Sequence, residues 1–342
     1  MSARRLALAI AILAAAGLLT GCDNAGAAGP GAAITVYNGQ HEQTTDALAA
    51  AFTRQTGIRV KVRSDSEDVL VQQIEQEGRA SPADVVFTAN APALEVLQER
   101  HLLASLPAAT LAAVPAAFDS ARGDWAGVSA RVSVLVYNTR EVKAGELPAS
   151  VLQLASPRWS GKLAIAPGET DFQPVVTSIA VAYGQRAALR WLRAIRANAA
   201  GHVYPDNETV TADVNSGQAQ IGIINHYYWY RLRYEIGAGR IHSAIASFAP
   251  GDPGCVLDIS GATVLASSRH RSAAQRFVAF LVGKQGQQII ARGDSFEYPV
   301  GSGVRTSQGL IPFGQLRPDP SGVAAQGDGS LALNLLQQAQ LL

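Results

Sequence analysis

Cysteine is scarce in this chain, with two residues in a sequence of 342. Cys22 closes the apolar N-terminal run, and Cys255 lies far from it in the sequence. If Cys22 carries a lipid, as argued below, no cysteine is left to pair with Cys255, so an intrachain disulfide scaffold is excluded. Stability must then come from core packing, and a hydrophobic content of 48% is enough for an ordinary globular core.

An excess of charge of one sign is also missing. The 28 basic and 27 acidic residues give a formal net charge of +1. Nucleic-acid-binding proteins usually concentrate basic charge, so we predict no nucleic-acid partner. The roughly 310 residues that follow the N-terminal region are enough for two domains, and a monomer is expected.

The N-terminal apolar run is too short to span a bilayer comfortably. Arg4 and Arg5 precede "LALAIAILAAAGLL", an arrangement typical of a secretory signal. The run ends at "LTGC", which resembles a bacterial lipobox, so residues 1–21 are predicted to be a lipoprotein signal peptide and Cys22 to be lipidated. The alternative is an ordinary cleaved signal. The small residues after it predict a flexible tether over 22–33. We therefore expect a lipoprotein of the periplasm or cell surface that touches the membrane only through its lipid.

Strand-like and helix-like segments alternate along the rest of the chain. The β-branched runs "ITVYN", "IRVKVR" and "ADVVF" are each followed by a helical pattern, and the first of these helices should end at Gly57. The pattern resumes with "GKLAIA" and "AQIGII", and a pair of helices is predicted to break near Gly283. This alternation predicts an α/β fold with mainly parallel sheets. The long run "GVSARVSVLVYNT" is predicted to cross between two lobes, which would leave a ligand-binding cleft between them.

Side chains able to bind a metal or an anion follow several of the predicted strands. Because ligands of open α/β sheets bind at the carboxyl ends of the strands, these side chains are candidates for one site. They are His41, Glu42, Glu67, Glu169, Asp171, Asn225, His226, Tyr227 and Tyr228.

Two adjacent tyrosines, Tyr227 and Tyr228 in "INHYYWYRL", are the most unusual of these candidates. Adjacent residues point to opposite faces of a strand and diverge by about 100° on a helix, so burying both together requires special local geometry. Two core tyrosines and two functional phenols both remain possible readings of the pattern alone. Further along the same segment, Tyr230 and Tyr234 are expected to pack on the lobe.

The motifs together resemble the periplasmic ferric-ion-binding proteins of bacterial iron ABC transporters. The resemblance is carried by "ITVYNGQHE", "TGIRVKV", "SEDVLVQQIEQEG", "PADVVFT", "INHYYWYRL", "DPGCVLDISGA" and "AQRFVAFLVGKQGQQ". It implies a two-lobed periplasmic-binding-protein fold with hinge strands and an interlobe cleft. The first lobe would comprise 34–133 and 258–308, and the second 134–257 and 309–342. It also implies a receptor that is not an enzyme and that delivers Fe³⁺ to an ABC permease driven by its ATPase.

The resemblance implies that Tyr227, Tyr228, His41 and Glu67 bind the ferric ion. Anionic oxygen donors suit this small, hard cation, and a trivalent ion can displace the proton of a phenol whose pKa is ordinarily near ~10. Two phenolates and one carboxylate would match its three positive charges.

The sequence departs from the family pattern where relatives hold a small synergistic anion such as phosphate or carbonate. Asn207 and Asn225 match two asparagine positions of the family. However, the residue after Glu67 is the acidic Asp68, and the loop "PGETDF" has acidic residues where the family is expected to have small ones. The residues assigned to the anion or to a supporting position are Asp68, Glu169, Thr170, Asp171, Asn207, Asn225 and His226. We expect a carboxylate of the loop, with Glu169 preferred, to replace the anion. The alternative is that the acids face solvent and the anion binds through backbone N–H groups.

Two other functions compete with this prediction. The same fold could bind a chelated metal or a small organic anion. A non-haem iron oxygenase is disfavoured, because that chemistry uses two histidines and a carboxylate, and no HxD or HxE pair is present.

Overall fold

The computed structural model describes residues 33–301, 303–306, 309–318 and 322–342. The predicted signal peptide, Cys22 and the tether up to residue 32 lie outside these residues. Ala33, predicted as the last tether residue, is the first residue of the first strand. None of the described helices is long and apolar enough to cross a bilayer.

The described residues form a sheet system of ten strands. In chain order these are β1 (Ala33–Asn38), β2 (Arg59–Ser64), β3 (Val85–Thr88), β4 (Leu103–Ala104), β5 (Trp125–Asn138), β6 (Leu163–Ala164), β7 (Ile221–Asn225), β8 (Ser243–Ala246), β9 (Leu257–Leu265) and β10 (Tyr298–Pro299). The main path runs β2-β1-β3-β9-β5-β7-β6.

The described residues also form eleven α-helices. They are α1 (Glu42–Thr56), α2 (Glu67–Glu77), α3 (Ala91–Glu99), α4 (Ala108–Leu111), α5 (Gln173–Tyr183), α6 (Gln185–Asn198), α7 (Asn207–Ser216), α8 (His226–Ile236), α9 (Arg271–Val282), α10 (Lys284–Arg292) and α11 (Ser330–Gln338). Helices α1, α9 and α10 pack on one another beside β1 and β9, whereas α5, α6 and α11 pack together as a second group.

Strand β5 connects the two halves of the molecule. Its first part, Trp125–Val132, pairs with β9, and its second part pairs with β7 and β8. The prediction that this run crosses between two lobes is therefore confirmed. We call the half built on β2-β1-β3-β9 the first lobe and the half built on β7 and β6 the second lobe.

The prediction of mainly parallel sheets is wrong, because six of the nine pairings between the described strands are antiparallel. Strand β1 is parallel to β2 and β3, and β6 is parallel to β7. Strand β9, however, is antiparallel to both β3 and β5, because the chain returns to the first lobe through it.

Most element predictions are confirmed, with changes at the boundaries. Gly57 ends α1 in the left-handed conformation (φ 72°), and Gly283 separates α9 from α10. "GKLAIA" forms only the short strand Leu163–Ala164. Tyr230 is buried as expected, whereas Tyr234 is 71% exposed, which contradicts the expectation that it packs on the lobe.

Candidate metal centre

Tyr227 and Tyr228 lie in the first turn of α8, directly after the buried strand β7. Both phenol O–H groups donate to the same atom, Oδ2 of Asp171, at 3.1 Å each, and the ring centroids are 4.0 Å apart. Long side chains on a helix point back toward its N-terminus, so in the first turn two adjacent phenols can extend past the helix end and converge. The helix start is thus the local geometry that lets neighbouring tyrosines share one partner.

The two phenols are held in their neutral form. Burial raises the pKa of both tyrosines well above the ordinary value, and the negative charge of Asp171 raises them further. Only 2% of Tyr227 and 7% of Tyr228 are exposed. A bound cation would shift the equilibrium of each phenol from the protonated form to phenolate. The positive N-terminal end of α8 also favours anionic oxygens at this position.

A buried charge network supports Asp171. Arg131 of β5 donates from Nε to Asp171 Oδ1 at 3.2 Å and from Nη1 to Glu297 Oε1 at 3.1 Å. Burial alone would lower the pKa of Arg131, but the carboxylates of Asp171 and Glu297 raise it well above its usual value. Glu297 also accepts hydrogen bonds from Ser129 and Gln40. Arg131 and Glu297 were not predicted from the sequence, although an arginine within an apolar 14-residue strand was a usable signal for the first of them.

His41 lies beside the tyrosines at the N-terminal end of α1. Its ring centroid is 5.1 Å from that of Tyr227, and its Nε2 atom is buried without a hydrogen-bond partner, 3.9 Å from Glu297 Oε1. Burial lowers the pKa of His41, which favours the neutral imidazole that a metal requires.

A cavity of about 370 Å³ contains these groups. Its walls include His41, Arg131, both tyrosines and the loop residues Glu169, Thr170 and Asp171. The pKa of Glu169 is raised to about 7 by burial and by the neighbouring Asp171. We call this space the tyrosine cavity.

Glu67 lies outside the tyrosine cavity. It lines a second cavity of about 310 Å³ with Asp68 and Asn90, and its Oε1 accepts from the Asn90 N–H at 2.8 Å. Burial raises the pKa of Glu67 to about 7. Among the described residues, no group of three or more His, Cys, Asp or Glu side chains is placed to hold a metal. Three of the four predicted metal ligands therefore share a cavity, and the fourth, Glu67, lines a different one.

Several residues assigned to the anion are occupied elsewhere. His226 accepts from the Val132 N–H through Nδ1 and donates from Nε2 to the Phe296 carbonyl, and burial lowers its pKa to about 3. Asn225 donates to Asp258 Oδ2 at 3.1 Å and accepts from the Ser133 hydroxyl. His226 and Asn225 therefore use these polar atoms between strands and loops, and neither residue lines the tyrosine cavity.

Asp68 and Asn207, from the same set of predicted residues, also lie outside the lining of the tyrosine cavity. Asp68 lines the Glu67 cavity rather than the tyrosine cavity. Asn207 is buried at the start of α7 and lines neither of these two cavities. Of the predicted anion residues, only the loop 169–171 borders the tyrosine cavity.

Residues 34–293 match the family described as bacterial extracellular solute-binding protein. The chain is 38% identical to the Fe(3+)-binding periplasmic protein of Serratia marcescens, over 97% of both chains. It is 37% identical to the major ferric iron-binding protein of Neisseria meningitidis, over 90% of this chain and 92% of that one.

Solved structures give the same result. Iron-bound HitA from Pseudomonas aeruginosa aligns with a TM-score of 0.86 and 39% identity, over 90% of this chain and 99% of that one. A Trichodesmium protein in complex with iron and citrate aligns with a TM-score of 0.80 and 30% identity, over 90% of this chain and 99% of that one. The two-lobed fold is thereby shown, and the chain belongs to the family of bacterial extracellular solute-binding proteins, which are transport proteins rather than enzymes.

Proposed function

We propose that this protein captures Fe³⁺ in the cleft between its lobes and delivers it to an ABC permease powered by an ATPase. The observation that carries the proposal is the pair of phenol oxygens that meet within 3.1 Å of one carboxylate oxygen in the tyrosine cavity. Relatives named for ferric iron binding support it. A hard trivalent cation is the ligand for which two neutral, buried phenols at a helix start are best suited, because it can replace both protons.

In this proposal Tyr227, Tyr228 and His41 bind the ion first. Glu67, whose Oε1 is held by the Asn90 N–H, then completes the ligand set as the lobes close. Two phenolates and the Glu67 carboxylate balance the three positive charges of the ion. Because ligands would come from both lobes, metal binding would favour the closed state.

We propose further that Asp171 replaces the small anion that relatives are expected to use. Asp171 already holds the acceptor position beside both phenols and is paired with Arg131, whereas Glu169 makes no such contacts among the described hydrogen bonds. Asp171 is therefore a better candidate than Glu169, which the sequence favoured. An added anion 4 Å from an ionised carboxylate would be repelled by about 4 kcal/mol at an effective dielectric near 20.

We also propose where the protein is located and how its chain divides into lobes. Lipidation at Cys22, export by residues 1–21 and a tether would place a monomeric receptor at the periplasmic or outer face of a membrane. The lobes would divide as 34–133 with 258–308 and 134–257 with 309–342, and the change of pairing partner along β5 near Val132 supports that division.

A chelated ferric ion is the second candidate cargo, favoured by the relative whose structure contains iron and citrate. Titration of the purified protein with Fe³⁺ separates the two, with and without citrate, phosphate or carbonate. Tight binding in anion-stripped buffer is the expected result. Binding that appears only with citrate would support the chelate, and no binding under any of these conditions would contradict both proposals.

A further inference from the structure

Asn90 occupies a helix-capping position without capping the helix. It directly precedes α3 with an extended backbone (φ −128°, ψ 151°), yet its side chain makes no capping hydrogen bond. Asparagine is among the best N-cap residues, so an Asn at this position that does not cap is unusual. Pro92 removes one of the N–H groups available for capping. The amide of Asn90 is therefore free to serve another purpose.

The buried Asn90 instead joins groups around the candidate metal centre within the first lobe. Its backbone N–H donates to Glu67 Oε1 at 2.8 Å, and its Nδ2 lies 3.5 Å from Glu67 Oε2. Its Oδ1 accepts from Nη2 of Arg131, the same guanidinium that pairs with Asp171. Asn90 thus contacts both carboxylate oxygens of Glu67 and the guanidinium of Arg131.

Asn90 also reaches the opposite lobe. Its Nδ2 donates to Thr170 Oγ1 at 2.8 Å, across the cleft and 80 residues away in the sequence. Thr170 lies on the wall between the tyrosine cavity and the Glu67 cavity, because it lines both. One side chain therefore contacts a predicted metal ligand of the first lobe and the loop that carries Asp171 in the second.

We propose that Asn90 is a positioning residue that couples lobe closure to the placement of Glu67 through its hydrogen bond with Thr170. This inference rests on the proposed ferric-ion function for its effect on iron release. When the lobes close, the Thr170 hydroxyl orients the Asn90 amide, and the amide in turn positions the Glu67 carboxylate at the edge of the site.

The space around Glu67 is built for this arrangement. A Cβ atom added at Gly39 would lie 2.6 Å from Glu67 Cγ, closer than real Cβ contacts occur, so any larger residue at 39 would displace Glu67. Gly39 lines the tyrosine cavity and separates Glu67 from it. Because residue 39 is glycine, the Glu67 side chain can lie against the backbone that lines the tyrosine cavity, within reach of Asn90.

The test uses Thr170→Val, which removes the hydroxyl at nearly constant shape, with Thr170→Ser as the matched control that keeps it. Iron-loaded protein is mixed with excess chelator, and loss of the visible absorbance gives the dissociation rate. Loss of one neutral hydrogen bond predicts release about three- to tenfold faster for Thr170→Val, with Thr170→Ser close to wild type. Asn90→Ala combined with Thr170→Val should release iron no faster than Asn90→Ala alone. Equal rates for Val and Ser, or additive effects in the double variant, would overturn the proposal.

A second arm examines the iron-free protein, independently of whether it binds iron. Spin labels on cysteines introduced at the exposed positions Glu99 and Arg190, one on each lobe, report the interlobe distance. Thr170→Val should shift the distances to longer values than wild type and Thr170→Ser. An unchanged distribution would overturn the coupling. Failure of wild type to bind iron would contradict the proposed function, while this arm would still decide the role of Asn90.

Discussion

The two walls of the cleft differ in how ready they are to bind a metal. On the second lobe, Tyr227 and Tyr228 already converge on Asp171. On the first lobe, His41 has an unpartnered Nε2 in the tyrosine cavity, and Glu67 faces a different cavity. The second lobe therefore presents an assembled half-site, and the first lobe presents donors that must be brought to it.

This difference suggests an order of events. A half-site whose polar atoms are preorganised can bind the ion with little rearrangement, and closure then adds the ligands of the other lobe. Variants of the second-lobe wall should therefore reduce affinity more than variants of the first-lobe wall.

The largest effect is expected for the tyrosine pair. Tyr227→Phe and Tyr228→Phe each keep the ring but remove a donor oxygen, so iron affinity should fall by more than ~100-fold, beyond the loss usual for residues that only support a ligand. Competitive titration against a chelator measures this, and circular dichroism of the iron-free variants checks the fold. Normal iron binding together with a destabilised apo fold would show that both tyrosines are simply core residues.

Acidity should weaken binding next most strongly. Because burial and Asp171 raise the pKa of both phenols, the apo protein holds their protons at neutral pH and must release them to bind iron. About two protons released per ion predicts roughly a 100-fold fall in affinity for each pH unit lowered. Proton release measured in weakly buffered solution checks the number. Affinity that does not change between neutral and mildly acidic pH would contradict phenolate binding.

Replacement of Asp171 should weaken binding by about 10- to 100-fold in anion-stripped buffer. Asp171→Asn removes the charge beside the phenols but keeps the shape, and added phosphate or carbonate should restore part of the affinity. Glu169→Gln is the matched control in the same loop and should change little. A larger loss of affinity for Glu169→Gln than for Asp171→Asn would show that Glu169 replaces the anion. A wild-type protein that binds iron only with an added anion would refute replacement by either residue.

The first-lobe donors should show the smallest effects. His41→Ala and Glu67→Gln are each expected to reduce affinity by about tenfold, the lower end of the usual range, mainly through faster dissociation, since both donors act after the tyrosines. Stopped-flow measurements separate the two rates. A larger loss than for Asp171→Asn would show that the first-lobe wall, and not the second, dominates binding.

The sequence predicted the fold and the tyrosine pair because their signals are local. Strand and helix periodicities identified most elements, and the motifs "YNGQH" and "HYYW" marked His41 and the tyrosines. Helix α7 was missed although Asp206 caps it and Gly217 ends it, because its polar sequence has a weak apolar period. Helix α11 was also missed.

Side-chain partners across long sequence separations could not be predicted. Arg131 and Glu297 are 166 residues apart, and only the folded chain brings them together. His226 and Tyr227 are neighbours in sequence, yet one points to the Phe296 carbonyl and the other to Asp171. Which of two adjacent polar residues faces a cavity depends on the exact start of a helix, and this is the least predictable feature of a sequence.

The most direct test of ferric binding by the tyrosine pair is the visible spectrum of the iron-loaded protein. Phenolate bound to Fe³⁺ produces a charge-transfer colour, so wild type should become coloured when one equivalent of Fe³⁺ is added in anion-stripped buffer. Tyr227→Phe and Tyr228→Phe should each weaken or shift that band, and the double variant should lack it. A wild-type protein that binds iron without colour, or a double variant that keeps the band, would contradict the assignment of Tyr227 and Tyr228 as ligands.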